Sequence, residues 1–188
     1  QRSRSLLVVI HAKQKNFAEA VAVRDAYLKN QPNKLSERAR LENELAKAFR
    51  SAKQLEKAAP HAEQAYSASK ALLLEPGAGP KGLDELLDSG MLVFETYRDQ
   101  NKNAEADNAL EDLRTTAASV GSPSLFYYAA DKLITYRIES GRKPLALETY
   151  AAVLALAEKE LPLKGQQLDA LRRLKAREKH YKMLGETA

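Results

Sequence analysis

Along most of the chain, apolar residues recur every three or four positions, the spacing that lines one face of a helix. Leu41, Leu45, Ala48 and Ala52 follow i, i+4, i+7, i+11. Leu83, Leu86, Leu87, Phe94 and Tyr97 fall on one side of another periodic stretch. No stretch alternates apolar and polar for more than a few residues, so nothing reads as a half-buried strand. The pattern predicts nine helices, over residues 3–14, 17–29, 36–53, 55–75, 83–100, 104–120, 123–140, 144–160 and 165–184. Breakers lie between them: Asn30-Gln31-Pro32, Gly121, Ser140-Gly141 and Leu161-Pro162. Ser36 reads as an N-cap with Glu37 in the first turn. Ser122-Pro123 reads as an N-cap with proline at the first helical position. Pro60 falls near enough to a helix start to be tolerated, with a kink. Pro76-Gly77-Ala78-Gly79-Pro80-Lys81-Gly82 is the clearest loop, predicted flexible, and divides the chain unequally.

Composition sharpens this to an all-α fold. The chain has 28 Leu and 31 Ala against 7 Val and 3 Ile, so strong helix formers dominate and strand formers are scarce. Its 188 residues suit one helical-repeat domain over 1–188. Short turns between helices predict antiparallel neighbours, arranged as a stacked array or as a closed helical bundle. With no cysteine there is no disulfide, thiolate metal site or cysteine nucleophile within these residues. The longest wholly apolar runs, 6–10 and 151–157, fall far short of the ~20 residues of a spanning helix. The opening Gln1-Arg2-Ser3-Arg4 leads into too short an apolar run for a signal peptide, as expected of a processed or shortened chain.

Four predicted junctions resemble one another. They are Lys13-Gln14-Lys15-Asn16-Phe17-Ala18-Glu19-Ala20, Ala52-Lys53-Gln54-Leu55-Glu56-Lys57-Ala58, Gln100-Asn101-Lys102-Asn103-Ala104-Glu105-Ala106 and Ser140-Gly141-Arg142-Lys143-Pro144-Leu145-Ala146. Each is a polar turn followed by an alanine small enough for two helices to cross closely. Tyr27, Tyr66, Leu113 and Val153 follow in the second helices. This arrangement resembles the tetratricopeptide (TPR) family, most closely at the first junction. There Phe17, Ala20 and Pro32 match the aromatic, alanine and proline positions of its pattern. The chain departs from the family in its spacings of 38, 48 and 40 residues, against a period of about 34. It also has no tryptophan, and a turn glycine only at Gly141. The resemblance implies antiparallel helix pairs stacked as an α-solenoid that binds proteins or peptides.

The ending carries a second resemblance. Gly185-Glu186-Thr187-Ala188 resembles the Gly-x-x-Ala-Pro opening of thioredoxin-like redoxin domains of the TlpA/ResA kind. It implies a bacterial, extracytoplasmic protein whose Cys-x-x-Cys would lie beyond Ala188, with this chain as the non-catalytic helical region. The expected partners are then a protein or peptide, or that downstream redoxin domain.

Charge is distributed in blocks: net +7 over 1–60, −6 over 61–160 and +4 over 161–188. Such blocks can steer partners, pair parts of an array, or be solvated faces. Arg40, Asn43, Lys47 and Arg50 follow i, i+3, i+7, i+10 and form one stripe opposite the apolar positions. TPR domains bind peptides through Lys, Arg and Asn that hold a carboxylate, and this stripe resembles such a clamp; it also reads as an ordinary solvated face. Guanidinium groups suit carboxylates geometrically. Tyr128, beside Phe126 and Tyr127, is a further candidate contact at a groove edge. The last predicted helix carries Arg172, Arg173, Lys175, Arg177, Lys179 and Lys182. That basic face supports an alternative reading as a nucleic-acid-binding protein, without the interleaved aromatics that stack bases. His11, His61 and His180 have no metal-ligand spacing, and the acidic clusters sit where helix dipoles favour them. No nucleophile–base pair, metal set or cofactor loop can be named. The expectation is a non-catalytic interaction module with no cofactor.

Overall fold

The computed structural model describes residues 2–31, 34–75 and 79–159, together with residues 175, 178, 179 and 182. Its helices are α1 (Arg2–Lys13), α2 (Phe17–Lys29), α3 (Leu35–Ser51), α4 (Leu55–Leu73), α5 (Gly79–Asp99), α6 (Asn103–Ser119), α7 (Pro123–Glu139) and α8 (Lys143–Lys159). No strand occurs among the described residues. The chain divides into two compact units, 1–109 and 110–188, and the division falls inside α6.

One local device builds most of the turns. Lys15, Lys53, Asn101, Gly121 and Gly141 all adopt left-handed φ values, between 59° and 75°. At each, two hydrogen bonds close the preceding helix. Lys53 N–H donates to the Arg50 carbonyl and Gln54 N–H to the Phe49 carbonyl, both at 2.9 Å. The same pair recurs with Lys15 and Asn16, Asn101 and Lys102, Gly121 and Ser122, and Gly141 and Arg142. This is the Schellman arrangement, which satisfies carbonyls that a helix end leaves without partners. The second turn residue also opens the next helix. The carbonyls of Asn16, Gln54, Lys102, Ser122 and Arg142 accept from the N–H groups of Ala20, Ala58, Ala106, Phe126 and Ala146. Each of those five residues is buried. Each of these five turns thus delivers a core residue to the inside of the new helix, and in four of them it is the predicted alanine.

In the first unit, α3 packs along α4 and α4 along α5, while α1 packs on α2 and α3, and α3 also touches α2 and α5. The buried face of α4 includes Ala58, Ala62, Ala65 and Ser69, so neighbouring helices approach closely. At the crossing with α5, the Ser89 hydroxyl donates to the Ser69 hydroxyl oxygen at 3.1 Å. Val8, Ala12, Ala20, Tyr27, Leu28, Leu41 and Leu45 form the core shared by α1, α2 and α3. In the second unit, α7 packs on α8. Leu110 and Leu113 of α6, Phe126, Leu133 and Ile134 of α7, and Val153 of α8 are buried there.

Three expectations are corrected. Residues 79–82 belong to α5 and not to a loop. Pro80 occupies the second helical position, where a missing N–H costs nothing, and Gly79 supplies the turn at φ +52°. Ser36 is not the cap of α3, which starts one residue earlier after Lys34. Its hydroxyl donates instead to the Glu85 carboxylate on α5 at 3.0 Å, a charged acceptor. Ser122 does precede Pro123 at the start of α7, but its side chain makes no capping bond. The predicted ninth helix, 165–184, lies outside the described residues apart from four of its positions.

The turn device is testable through two substitutions. A Cβ at Gly141 would meet nothing within 4 Å, so Gly141→Ala is strained only by its φ of +75°. It should lower unfolding stability by about 1 kcal/mol. Lys53→Gly relieves the same strain and should raise stability by about 0.5 kcal/mol, once the entropy of the unfolded glycine is set against it. Urea unfolding monitored by circular dichroism reads both; shifts of the opposite sign would contradict this account of the turns.

Candidate functional site

The four polar candidates on α3 do not share one environment. Arg40 is exposed and pairs with Glu37, one turn earlier, at 2.8 Å. Lys47 is exposed. Asn43 is buried, and its side-chain oxygen lacks a hydrogen-bond partner. Arg50 is partly covered and reaches across to α5. Its Nε and Nη2 each lie 2.8 Å from Asp99 Oδ2, and its Nη1 lies 2.6 Å from Glu95 Oε2. A helix turns about 100° per residue, so this stripe spans a sector about 80° wide. Arg40 and Lys47 occupy the open part of that sector. Arg50 lies at its margin and reaches α5, as does Ser36, near the middle of the sector, through Glu85.

Asp99 feels two opposed effects. Partial burial would raise its pKa, but hydrogen bonds and charge from Arg50 and Arg98 outweigh it and hold the carboxyl below its ordinary value. Across α4 and α5, the Tyr97 hydroxyl donates to Glu63, and Lys102 pairs with Glu56 at 3.2 Å. Burial first, and then Glu63, push the Tyr97 phenol well above its usual range.

Beneath this surface lies a charged group that the sequence reading does not single out. Glu42 is fully buried. Arg24 on α2 donates from Nη1 to Glu42 Oε1 at 2.5 Å, and His61 Nδ1 lies 2.7 Å from Glu42 Oε2. An ionised carboxylate only accepts, so the tautomer that satisfies this contact has its proton on Nδ1. The His61 ring stacks on Phe49 at 5.3 Å, and Phe49 stacks on Phe17 at 4.3 Å. Arg24 Nε also lies 3.1 Å from Asp25 without its N–H aligned on the carboxylate. Three helices therefore meet on one carboxylate. The signal was present in the sequence: Glu42 precedes Leu45, Ala46 and Phe49 by three, four and seven residues, which is an apolar sector.

In the second unit, Tyr128 is 41% exposed, with Lys132 Nζ 5.5 Å from its ring centroid. Its neighbours turn inward, with Phe126 and Tyr127 buried edge-to-face at 5.3 Å. Burial raises the Tyr127 phenol and, with the Glu178 charge, pushes Tyr150 up to about 12. Among the described residues no group of three His, Asp or Glu could hold a metal ion. No described helix is long and apolar enough to cross a membrane. Of the terminal basic residues, Lys175, Lys179 and Lys182 are described, and Lys182 pairs with Glu178 at 2.8 Å. Arg172, Arg173, Arg177 and His180 lie outside the described residues.

Helix pairs joined by recurring three-residue turns, each such turn placing a core residue on the inside of the next helix, define the class: the chain has a TPR-like helical-repeat fold. A crystal structure of the nearly identical TPR-like repeats of a Podosopora anserina protein described as a kinesin light chain is similar to it. The TM-score is 0.52 and the identity 19%, covering 98% of this chain and 91% of that one. A point-substituted variant of that Podosopora anserina protein gives 0.51 and 20%, over 99% and 91%. At such identity the likeness concerns the fold alone. No protein-family profile matches the chain, and no curated protein sequence matches it.

The charged groups give two testable outcomes. Glu42→Ala should cost about 3–5 kcal/mol, because it leaves Arg24 and His61 without their shared anion. The triple change Arg24→Met, Glu42→Leu, His61→Phe should recover most of that loss. Calorimetric unfolding of both variants tests it; a mild effect of Glu42→Ala would show that the cluster is solvated. For Asp99, a folded pKa below the unfolded one makes its contribution fully present above the unfolded value, near 4. That contribution is lost as pH falls through the lower, folded value. The urea midpoint of wild type should therefore fall more steeply as pH drops below about 5 than that of Asp99→Asn, and parallel curves would contradict the assignment.

Proposed function

We propose that this chain is a non-catalytic protein- or peptide-interaction module whose ligand presents carboxylates to the exposed face of α3. Arg40 and Lys47 supply open cationic contacts and Arg50 a guanidinium at their margin, while Asn43 lies buried beneath them. The observation that carries the reading is the pose of Arg50, which already grips carboxylate oxygens at hydrogen-bonding distance, beside two cations facing solvent. Tyr128 offers a separate aromatic contact on the second unit. The TPR-like fold supports the reading, since repeats of this class present helix faces as binding surfaces.

The terminal Gly185-Glu186-Thr187-Ala188 extends the proposal to a redoxin-type, extracytoplasmic bacterial parent. The experiment for that context is to sequence the gene beyond Ala188; a continuation without Cys-x-x-Cys would refute it.

A fluorescein-labelled Leu-Glu-Leu-Glu-Leu-Glu peptide with a free C-terminal carboxylate serves as probe. Arg40→Ala with Lys47→Ala should weaken its binding, measured by fluorescence anisotropy, about tenfold or more, since charge-assisted contacts contribute about 1.5–3 kcal/mol each when well formed. The Leu-Gln-Leu-Gln-Leu-Gln counterpart should bind weakly to both proteins. Equal binding of the two peptides to wild type would remove the carboxylate reading.

A further inference from the structure

Resting on the α3 reading above, we propose that Glu95 is a gate on that site: an in-cis carboxylate that occupies Arg50 and must leave before a ligand carboxylate can take its place. Arg50 faces two acids that are held unequally. Asp99 receives both Nε and Nη2 of Arg50 at 2.8 Å, and its other oxygen lies 3.2 Å from Arg98 Nη2. Arg98 is itself placed over the Phe94 ring at 5.5 Å. Asp99 is thus anchored from two sides. Glu95 is held by Nη1 of Arg50 at 2.6 Å. Its side chain is 35% exposed, against 27% for Asp99.

This asymmetry fixes the order of release. A ligand carboxylate approaching Arg50 from solvent meets a cation already matched by two anions. Displacing Asp99 would break the forked contact and abandon Arg98. Displacing Glu95 breaks one contact and returns a half-open side chain to water, where an exposed ion pair adds little net stability. Glu95 therefore lowers affinity by a modest, adjustable factor while Asp99 keeps the guanidinium oriented. The α3–α5 seam survives the exchange because the Asp99 and Ser36–Glu85 contacts remain.

The test uses the same carboxylate peptide in anisotropy titrations at low ionic strength. Glu95→Gln should tighten binding about two- to fivefold, which corresponds to the loss of one part-exposed competing ion pair. Asp88→Asn removes an equal charge from an exposed position of the same helix without touching Arg50, and should change binding by less than the Glu95 substitution does. In an Arg50→Ala background the gain from Glu95→Gln should vanish, which a double-mutant cycle reads directly. Circular dichroism confirms that each variant is folded. If Arg50→Ala weakens binding but Glu95→Gln has no greater effect than Asp88→Asn, the gate is overturned and the clamp stands. If Arg50→Ala binds as wild type does, or no protein binds the peptide, the clamp reading falls and the gate with it.

Discussion

The left-handed turn residue between helices is the constraint on which the rest depends. A helix that ends on one such residue reverses within two positions, and the second of these is already the cap of the next helix. Because that cap residue uses its N–H to close the old helix and its carbonyl to open the new one, its side chain is free of capping duty. Gln54, Lys102 and Arg142 serve as well as Asn16 or Ser122. So short a link leaves little choice of where the second helix lies, and the fourth residue after the cap must meet the first helix. Alanine at 20, 58, 106 and 146 is the answer to that geometry, and the small face of α4 extends it along a whole helix.

Close, alanine-lined contacts specify register poorly, because small residues slide past one another with little change in packing. Polar contacts supply what they lack. Glu42 accepts from Arg24 and His61 at fixed distances, which pins α2, α3 and α4 to one relative height. The desolvation of three charged or polar groups makes that cluster a weak source of net stability. Its effect is on specificity: any slip of one helix leaves a buried carboxylate unmatched. Arg50 with Asp99 does the same between α3 and α5 nearer the surface, where water makes the pairing exchangeable.

Helix positions were readable in the sequence because periodicity and breakers depend on neighbours a few residues away. α2 falls where the pattern places it, and the remaining described helices shift by a few residues at their ends. The larger error, at residues 79–82, came from reading two glycines and a proline as a loop when proline at a second helical position is harmless. The uneven repeat spacing also has a physical source. The junctions are alike, but the interval after Ala20 holds α2 and α3, of 13 and 17 residues, and that after Ala58 holds α4 and α5, of 19 and 21, so the period varies with helix length. The stripe on α3 was visible as a stripe; its division was not, because which edge faces α5 depends on packing. Glu42 was overlooked for the opposite reason. Its apolar sector was plain, but an acid there is meaningful only beside the Arg24 and His61 that tertiary structure brings to it.

The opposite charge blocks acquire a concrete use in these contacts. Arg50 belongs to the basic block and its partners Glu95 and Asp99 to the acidic one, and Glu85, from the acidic block, receives Ser36 on the same seam. Part of what looks in the sequence like a field for steering partners is consumed in holding α3 against α5. The cations left open on α3, Arg40 and Lys47, lie toward solvent, and Arg40 pairs with its helical neighbour Glu37. An i, i+3 pair at 45% and 36% side-chain exposure is screened and weak, so it offers little resistance to a competing anion. Arg50 is better held, and Asp99 better still. The same face therefore grades from readily exchanged charge to fixed charge between Arg40 and Arg50, and a ligand that engages it meets its resistance at the Arg50 end, where binding and the α3–α5 contact draw on one guanidinium.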